Sequence, residues 1–258
     1  MAFKSISSLT SGVNFNTDIS ANFKAVYDRI LYDKYKKSEE KKPSQTFAPS
    51  SFRCDRLSFF RLRGVEPDTV SIVDKQLEFS AMIGTACHKE IQNNLKQNIG
   101  SQWVDVVDYL QCNKISHEYE IKNRGEFETQ LEFKYPPIKF SCDGILKIQD
   151  KYYLLEIKTS EYQSFSLLTE PKLQHIDQIK CYCSLLEINN ALVLYQDRVY
   201  GETKCFEIYV QDYEMKQIFD RMNTVLDYVD KNIAPPKLIS SDNWCKYCKY
   251  NQKCKQWG

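Results

Sequence analysis

Two spacings of apolar residues divide the chain into elements. Residues 18–34 place Ile19, Phe23, Val26, Tyr27, Ile30 and Leu31 three and four positions apart, which predicts a helix. Residues 34–49 are charged and then Ser/Pro-containing, and predict a solvated linker. A long helix is predicted over residues 73–98. Four strands follow in close succession over 115–122, 126–135, 139–148 and 151–159, punctuated by Asn123-Arg124-Gly125, Pro136-Pro137 and Gln149-Asp150-Lys151. Residues 171–187 return to helical spacing, with Leu173, Ile176, Ile179, Cys183 and Leu186 as the apolar stripe. The apolar run 191–195 reads as a buried strand, parallel to its predecessor after the helical crossover. A further strand is expected over 203–210 and an amphipathic helix over 213–230. The chain contains no internal repeat.

One strand carries unusual polar positions. Leu154, Glu156 and Lys158 share a face because the side-chain period of a strand is 2, while Leu155 and Ile157 make the opposite face apolar. A strand apolar on both faces is central, so its charged end needs partners. Asp143 on the preceding strand comes within reach of Glu156 if the two strands form a hairpin. Two carboxylates suit a hard divalent cation such as magnesium or manganese. An ammonium beside such an ion can hold or help deprotonate a water, which outlines phosphodiester hydrolysis. On the helix over 73–98, His88 and Gln92 lie four apart on one face, and Gly84 and Ala86 permit close approach to another element. On the helix over 171–187, Gln178 and Tyr182 are neighbours in the same way.

Composition narrows the class. The 258 residues suffice for one large domain or two small ones, and 42% hydrophobic with 13% aromatic residues supports a substantial core. Lys plus Arg total 35 against 34 for Asp plus Glu, a net charge of +1. That balance excludes a broad basic coat and leaves room for a local basic groove. No apolar run has signal-peptide or membrane-spanning character, so a cytoplasmic protein with no membrane partner is expected. Ten cysteines in such a chain are then metal ligands or buried thiols. Cys245, Cys248 and Cys254 have the spacing C-x2-C-x5-C in a basic and aromatic tail, a metal-binding pattern that wants a fourth thiolate. Cys87, Cys112, Cys142, Cys181, Cys183 and Cys205 are expected as reduced thiols, mostly in the core. Lys246, Lys249, Lys253 and Lys255 flank the tail cysteines, either to touch phosphates or as solvated charges.

Asp143 followed by Glu156-Ile157-Lys158 resembles the D…(D/E)-x-K core of the PD-(D/E)XK nuclease superfamily. The Gly84-x-x-x-His88 helix and Gln178-x-x-x-Tyr182 resemble, in the same order, motifs of its RecB-like members. Cys54-x-Arg56-x-x-Phe59 far upstream of the C-x2-C-x5-C tail is similar to the iron–sulfur members, among them the CRISPR-associated exonucleases and AddB-type nuclease subunits. Cys142 stands where the superfamily label has Pro. The likeness runs from about Ser50 to Trp257. It implies an α/β fold, a mixed central sheet flanked by helices, with a small iron–sulfur lobe built from both ends. Residues 1–49 would form a helical extension and linker, 50–235 the nuclease core, and 236–258 the cysteine lobe.

The resemblance also implies roles. His88, Asp143, Glu156 and the Ile157 carbonyl would hold one or two magnesium or manganese ions, Lys158 would orient or activate the attacking water, and Gln178 and Tyr182 would position the substrate strand. Cys54, Cys245, Cys248 and Cys254 would hold a structural 4Fe-4S cluster; spacing alone leaves zinc open, since both take four thiolates. The implied activity is a metal-dependent DNA exonuclease working on ends or single strands in recombination, repair, phage replication or CRISPR adaptation, with a protein partner from one of those processes. Oligomeric state stays open. An endonuclease of the same superfamily and a non-catalytic DNA-binding module are the competing readings. Lys-, Asn-, Ile- and Tyr-rich usage hints at an AT-rich genome such as a phage's, replicating in a host cytoplasm.

Overall fold

The computed structural model describes residues 19–39, 44–68, 75–238, 245–246 and 248–257. The charged positions 40–43, the expected helix start at 73–74, and Trp244 lie outside them. The chain divides into two units, Met1–Lys42 with Thr69–Phe79, and Pro43–Asp68 with Ser80–Gly258. The first contains α1 (Ile19–Glu39), a helix that runs past the predicted end at residue 34.

The second unit is mixed α/β. After α2 (Asp55–Leu62) and the long α3 (Lys75–Ile99), whose residues up to Phe79 belong to the first unit, come β1 (Trp103–Val104), α4 (Val106–Asn113), β2 (Tyr119–Arg124), β3 (Thr129–Phe133), β4 (Ile138–Phe140), β5 (Gly144–Ile148) and β6 (Lys151–Ser160). Then follow α5 (Tyr162–Ser166), α6 (Leu173–Leu186), β7 (Asn190–Asp197), β8 (Thr203–Tyr209), α7 (Asp212–Asp230) and α8 (Asn251–Gln256). Five strands form a sheet in the order β1-β5-β6-β7-β8, and β2-β3-β4 form a second, antiparallel sheet. In the larger sheet β6 and β7 are parallel and every other pairing is antiparallel. The crossover from β6 to β7 carries α5 and α6, as a parallel pair requires.

β6 is central, as its two apolar faces predict. Leu155 and Ile157 pack on one side with Leu146, against Ile91, Leu95 and Ile99 of α3. Leu154 faces the other way, into a core with Ile179, Cys183 and Leu186 of α6 and Ile218, Met222 and Val225 of α7. The sheet is thus covered by helices on both faces. The β5–β6 hairpin turns on Gln149 and Asp150, both at positive φ (49° and 63°), the type I′ geometry that matches strand twist. Gly144 opens β5 without a side chain because the Trp103 indole lies where a Cβ would meet it at 2.8 Å. Among the described residues, no helix is long and apolar enough to cross a membrane.

Two expectations change. The strand expected over 139–148 is two strands, β4 and β5, one in each sheet, with Ser141, Cys142 and Asp143 between them. The segment read as solvated linker docks at its C-terminal end. Phe47 is fully buried, its N–H donates to the Pro137 carbonyl at 2.8 Å, and its own carbonyl accepts from the Lys139 N–H at 3.2 Å. A strand edge offers those backbone groups whatever the local sequence looks like. Among the thiols, Cys142, Cys181 and Cys183 are buried as expected, whereas Cys112 and Cys205 are exposed.

Phe47→Ala should lower unfolding free energy by about 3–5 kcal/mol, the cost of emptying a buried phenylalanine site. Urea titration followed by circular dichroism measures it; a loss below about 1 kcal/mol would restore the linker reading.

Candidate functional site

The site forms where the two sheets meet. The β5–β6 ladder pairs Gly144 with Leu155, so its register continued outward sets Asp143 opposite Glu156. The β3–β4 ladder pairs Leu131 with Phe140, and that register continued outward sets Glu128 opposite Asp143. Three carboxylates therefore come together from three chain segments. His88 of α3, Glu128 and Asp143 offer ligand atoms that all lie within 4.8 Å of one another.

Each group is held. Asp143 Oδ2 accepts the Ile157 N–H at 2.6 Å, and Oδ1 lies 3.4 Å from His88 Nδ1. The buried Gln92 amide, one turn along α3 from His88, donates to the Asp143 carbonyl at 2.7 Å. Gly84 brings α3 close to β6, since a Cβ there would lie 3.4 Å from Thr159 Oγ1. Glu128 is exposed and accepts from the Ser141 hydroxyl at 3.0 Å. Glu156, only 2% exposed, pairs with Lys158 at 2.5 Å. Lys158 Nζ donates to Gln178 Oε1 at 3.1 Å, and Gln178 Nε2 donates to the Tyr182 hydroxyl at 2.9 Å. The predicted residues thus fall into two contact chains, His88–Asp143 and Glu156–Lys158–Gln178–Tyr182, which the hairpin register sets side by side.

Burial, followed by the neighbouring Asp143 charge, raises the Glu156 carboxyl well above the ordinary carboxylate range; the Lys158 ammonium pulls the other way and does not prevail. Burial pulls the His88 imidazole down, but the hydrogen bond and charge of Asp143 outweigh it and leave His88 above its usual value. Both shifts have one meaning. Negative charge is concentrated in a desolvated place, and a cation there would relieve it. Hard carboxylate oxygens with one imidazole suit magnesium or manganese, so the residues present fit the divalent ion that the sequence implies.

Glu128 was not among the sequence candidates. Its signal lies in the β3–β4 register, which the continued strand-like run across 139–148 conceals. Other carboxylates and imidazoles lie elsewhere. Glu120 pairs with Lys122 at 2.8 Å and Glu118 with Lys134 at 2.5 Å, both on the exposed face of the second sheet. The His117 ring stacks 4.5 Å from that of Phe219. His175 Nδ1 lies 2.7 Å from the Tyr195 hydroxyl, and burial, then the Lys158 and Lys172 charges, push its imidazole down to about 3.

The cysteines gather at a second place. Cys54, Cys245, Cys248 and Cys254 line one cavity of about 270 Å³ with Phe60 and Tyr250 among its walls. Burial pushes the Cys54 thiol up to about 11, although the backbone amides of Leu57 and Arg56 at the start of α2 pull it down. The buried Arg56 guanidinium donates to the Cys254 carbonyl at 3.1 Å and approaches its sulfur at 3.7 Å. Asp68 accepts the Gln252 and Lys253 N–H groups at 2.6 and 3.1 Å, so the chain after α2 is tied to α8. Lys253 Nζ donates to the Glu66 and Pro67 carbonyls, which places that ammonium in the tie.

No family model matches the sequence, and no curated protein matches it. Among solved structures, the crystal structure of SSO0001 aligns with a TM-score of 0.49 at 19% identity, covering 90% of this chain and 98% of that one. The crystal structure of LHK-Exo in complex with dAMP aligns at 0.45 with 12% identity, over 73% of this chain and 89% of its own. An alkaline exonuclease (LHK-Exo) structure from Laribacter hongkongensis aligns at 0.40 with 12% identity, over 74% and 90%.

Proposed function

We propose that the chain is a divalent-metal-dependent deoxyribonuclease, an exonuclease acting at DNA ends or single strands, with a structural 4Fe-4S cluster. The observation that carries this reading is the β5–β6 register, which continued outward sets Asp143 opposite Glu156, with His88 against the first carboxylate and Lys158 against the second.

In this reading His88, Asp143, Glu156 and the Ile157 carbonyl hold the ion, and Glu128 joins them. Magnesium or manganese, when bound, supplies Lewis acidity toward the phosphate and toward a water. The Ile157 N–H fixes the Asp143 carboxylate, so one oxygen stays directed away from the strand. Lys158, anchored by Glu156 and Gln178, holds its ammonium where an attacking water is oriented and where negative charge on the phosphate grows. Gln178 and Tyr182 hold one another and set the reach of that ammonium. DNA is the substrate class we assign, with a partner from recombination, repair, replication or CRISPR adaptation.

For the cluster, four thiols on one cavity form a donor set that iron takes as thiolates. In our reading this lobe is structural, joining the segment around Cys54 to the tail.

End-labelled linear and covalently closed circular DNA, incubated with manganese or magnesium and protein purified without oxygen, tests the activity. Wild type should consume only the linear form, and Lys158→Ala and Glu156→Ala should each slow it by roughly a hundredfold or more. Nicked circles would turn the assignment to an endonuclease. Cleavage unchanged in both variants would remove the proposed site.

Glu128→Ala should raise the manganese concentration needed for half-maximal rate by about tenfold or more. An unchanged manganese dependence would take Glu128 out of the ligand set. The same preparation should contain about four iron and four sulfide per chain, with broad visible absorption that Cys54→Ala and Cys248→Ala abolish. Stoichiometric zinc without iron would replace the cluster by a tetrathiolate zinc site.

A further inference from the structure

Beyond the C-terminal end of β6, the central strand that carries Glu156 and Lys158, stand two exposed aromatic rings. β6 and β7 end side by side, Ser160 opposite Asp197. Tyr162 opens α5 four residues after Lys158, within about 14 Å along the chain. Tyr200 lies on the turn from β7 to β8. The two rings meet edge to face, centroids 4.9 Å apart at 81°, yet Tyr162 is 42% and Tyr200 69% exposed. Val199 beside them is exposed as well.

The platform is built, not loose. The Tyr200 N–H donates to Asp197 Oδ2 at 2.6 Å, the Gly201 N–H to the Asp197 carbonyl at 3.2 Å, and the Asp197 N–H to the Glu202 carbonyl at 2.8 Å. Gly201 sits at φ 74°, where a side chain would strain the turn. The Arg198 N–H donates to the Ser160 carbonyl at 3.0 Å, tying the turn to the end of β6. On the α5 side, Lys204 Nζ donates to the carbonyls of Phe165 and Leu168 at 2.8 and 2.9 Å, which fixes the short helix behind Tyr162. One cation accompanies the rings. The Arg198 guanidinium reaches the Ser80 carbonyl at 3.5 Å and Glu161 at 3.6 Å.

We propose that Tyr162 and Tyr200 form a stacking platform for an unpaired base of the nucleic-acid strand that enters or leaves the catalytic site. This rests on the reading of that site as a phosphodiester hydrolase. Ring faces held rigidly in solvent lose little freedom when a base stacks on them, and stacking tolerates any sequence because every base has a π-face. Continuity with the carboxylates selects the occupant. Tyr162 follows Lys158 by four residues and touches Tyr200, so a strand whose phosphate lay at Lys158 would have these two rings within about 14 Å of chain.

Anisotropy of a fluorescein-labelled oligothymidylate, titrated with full-length protein in EDTA, tests the platform without cleavage. Tyr200→Ala and Tyr162→Ala should each weaken binding by roughly five- to a hundredfold, while Tyr200→Phe stays within about twofold of wild type. Blunt duplex of the same length should bind both alanine variants as it binds wild type. Matched thermal melts establish that the variants fold. Single-strand affinity unchanged in both alanine variants, no single-strand binding by wild type, or equal losses on duplex and single strand would each overturn the proposal. Cleavage of linear DNA by wild type, run in parallel with manganese, separates the two readings: hydrolysis with an indifferent platform sinks only the platform, and platform-dependent binding without hydrolysis sinks only the catalytic assignment.

Discussion

Asp143 serves two sheets at once. Its backbone lies in the break between β4 and β5, and its carboxylate accepts the Ile157 N–H at 2.6 Å while its carbonyl takes the Gln92 amide at 2.7 Å. Both bonds are buried, so neither can be exchanged for water without cost. Through them the junction of the sheets, the central strand and α3 share one position. The juxtaposition of Glu128, Glu156 and His88 follows from that, because each arrives on an element registered to the same point.

Such a junction concentrates charge that the rest of the molecule does not have. The chain as a whole is nearly neutral, at +1. Locally, a carboxyl at 2% exposure stands beside another carboxylate and is compensated by one ammonium. A fold gains little from such an arrangement, since apolar residues of the same volume would serve it better. The burial of Glu156 is therefore better explained by chemistry than by stability.

Much of this was legible in the chain. The β5–β6 hairpin, the long α3 and the helices α6 and α7 carry strong local periodicity, and the alternation around Ile157 correctly marked β6 as central. Spacing puts Gln178 beside Tyr182 on a helix and Glu156 beside Lys158 on a strand, but it was the resemblance of Asp143, Glu156-Ile157-Lys158 and Gln178-x-x-x-Tyr182 to nuclease motifs, in that order, that marked them as a site. What escaped notice is non-local. Ile138, Phe140 and Cys142 alternate up to the next strand with no Gly or Pro between Ile138 and Gly144, so the change of sheet is easily missed. Phe47 looks like a stray aromatic among polar residues until the free edge of β4 is in place. Glu128 is an ordinary exposed glutamate until the β3–β4 register sets it across from Asp143.

The ties between the segment around α2 and the tail have a consequence in time. Arg56 and Cys254 are 198 positions apart, and Asp68 bonds to residues as distant as 185 positions. Contacts of such span close after the local ones, because the chain between them must already be compact for the closure to be favourable. Three of the four cysteines on the cavity follow every strand of the sheet in the chain. The pocket is therefore absent while the sheet is being made and complete only when the sheet is finished. Whatever fills it joins a segment made before the sheet to one made after it.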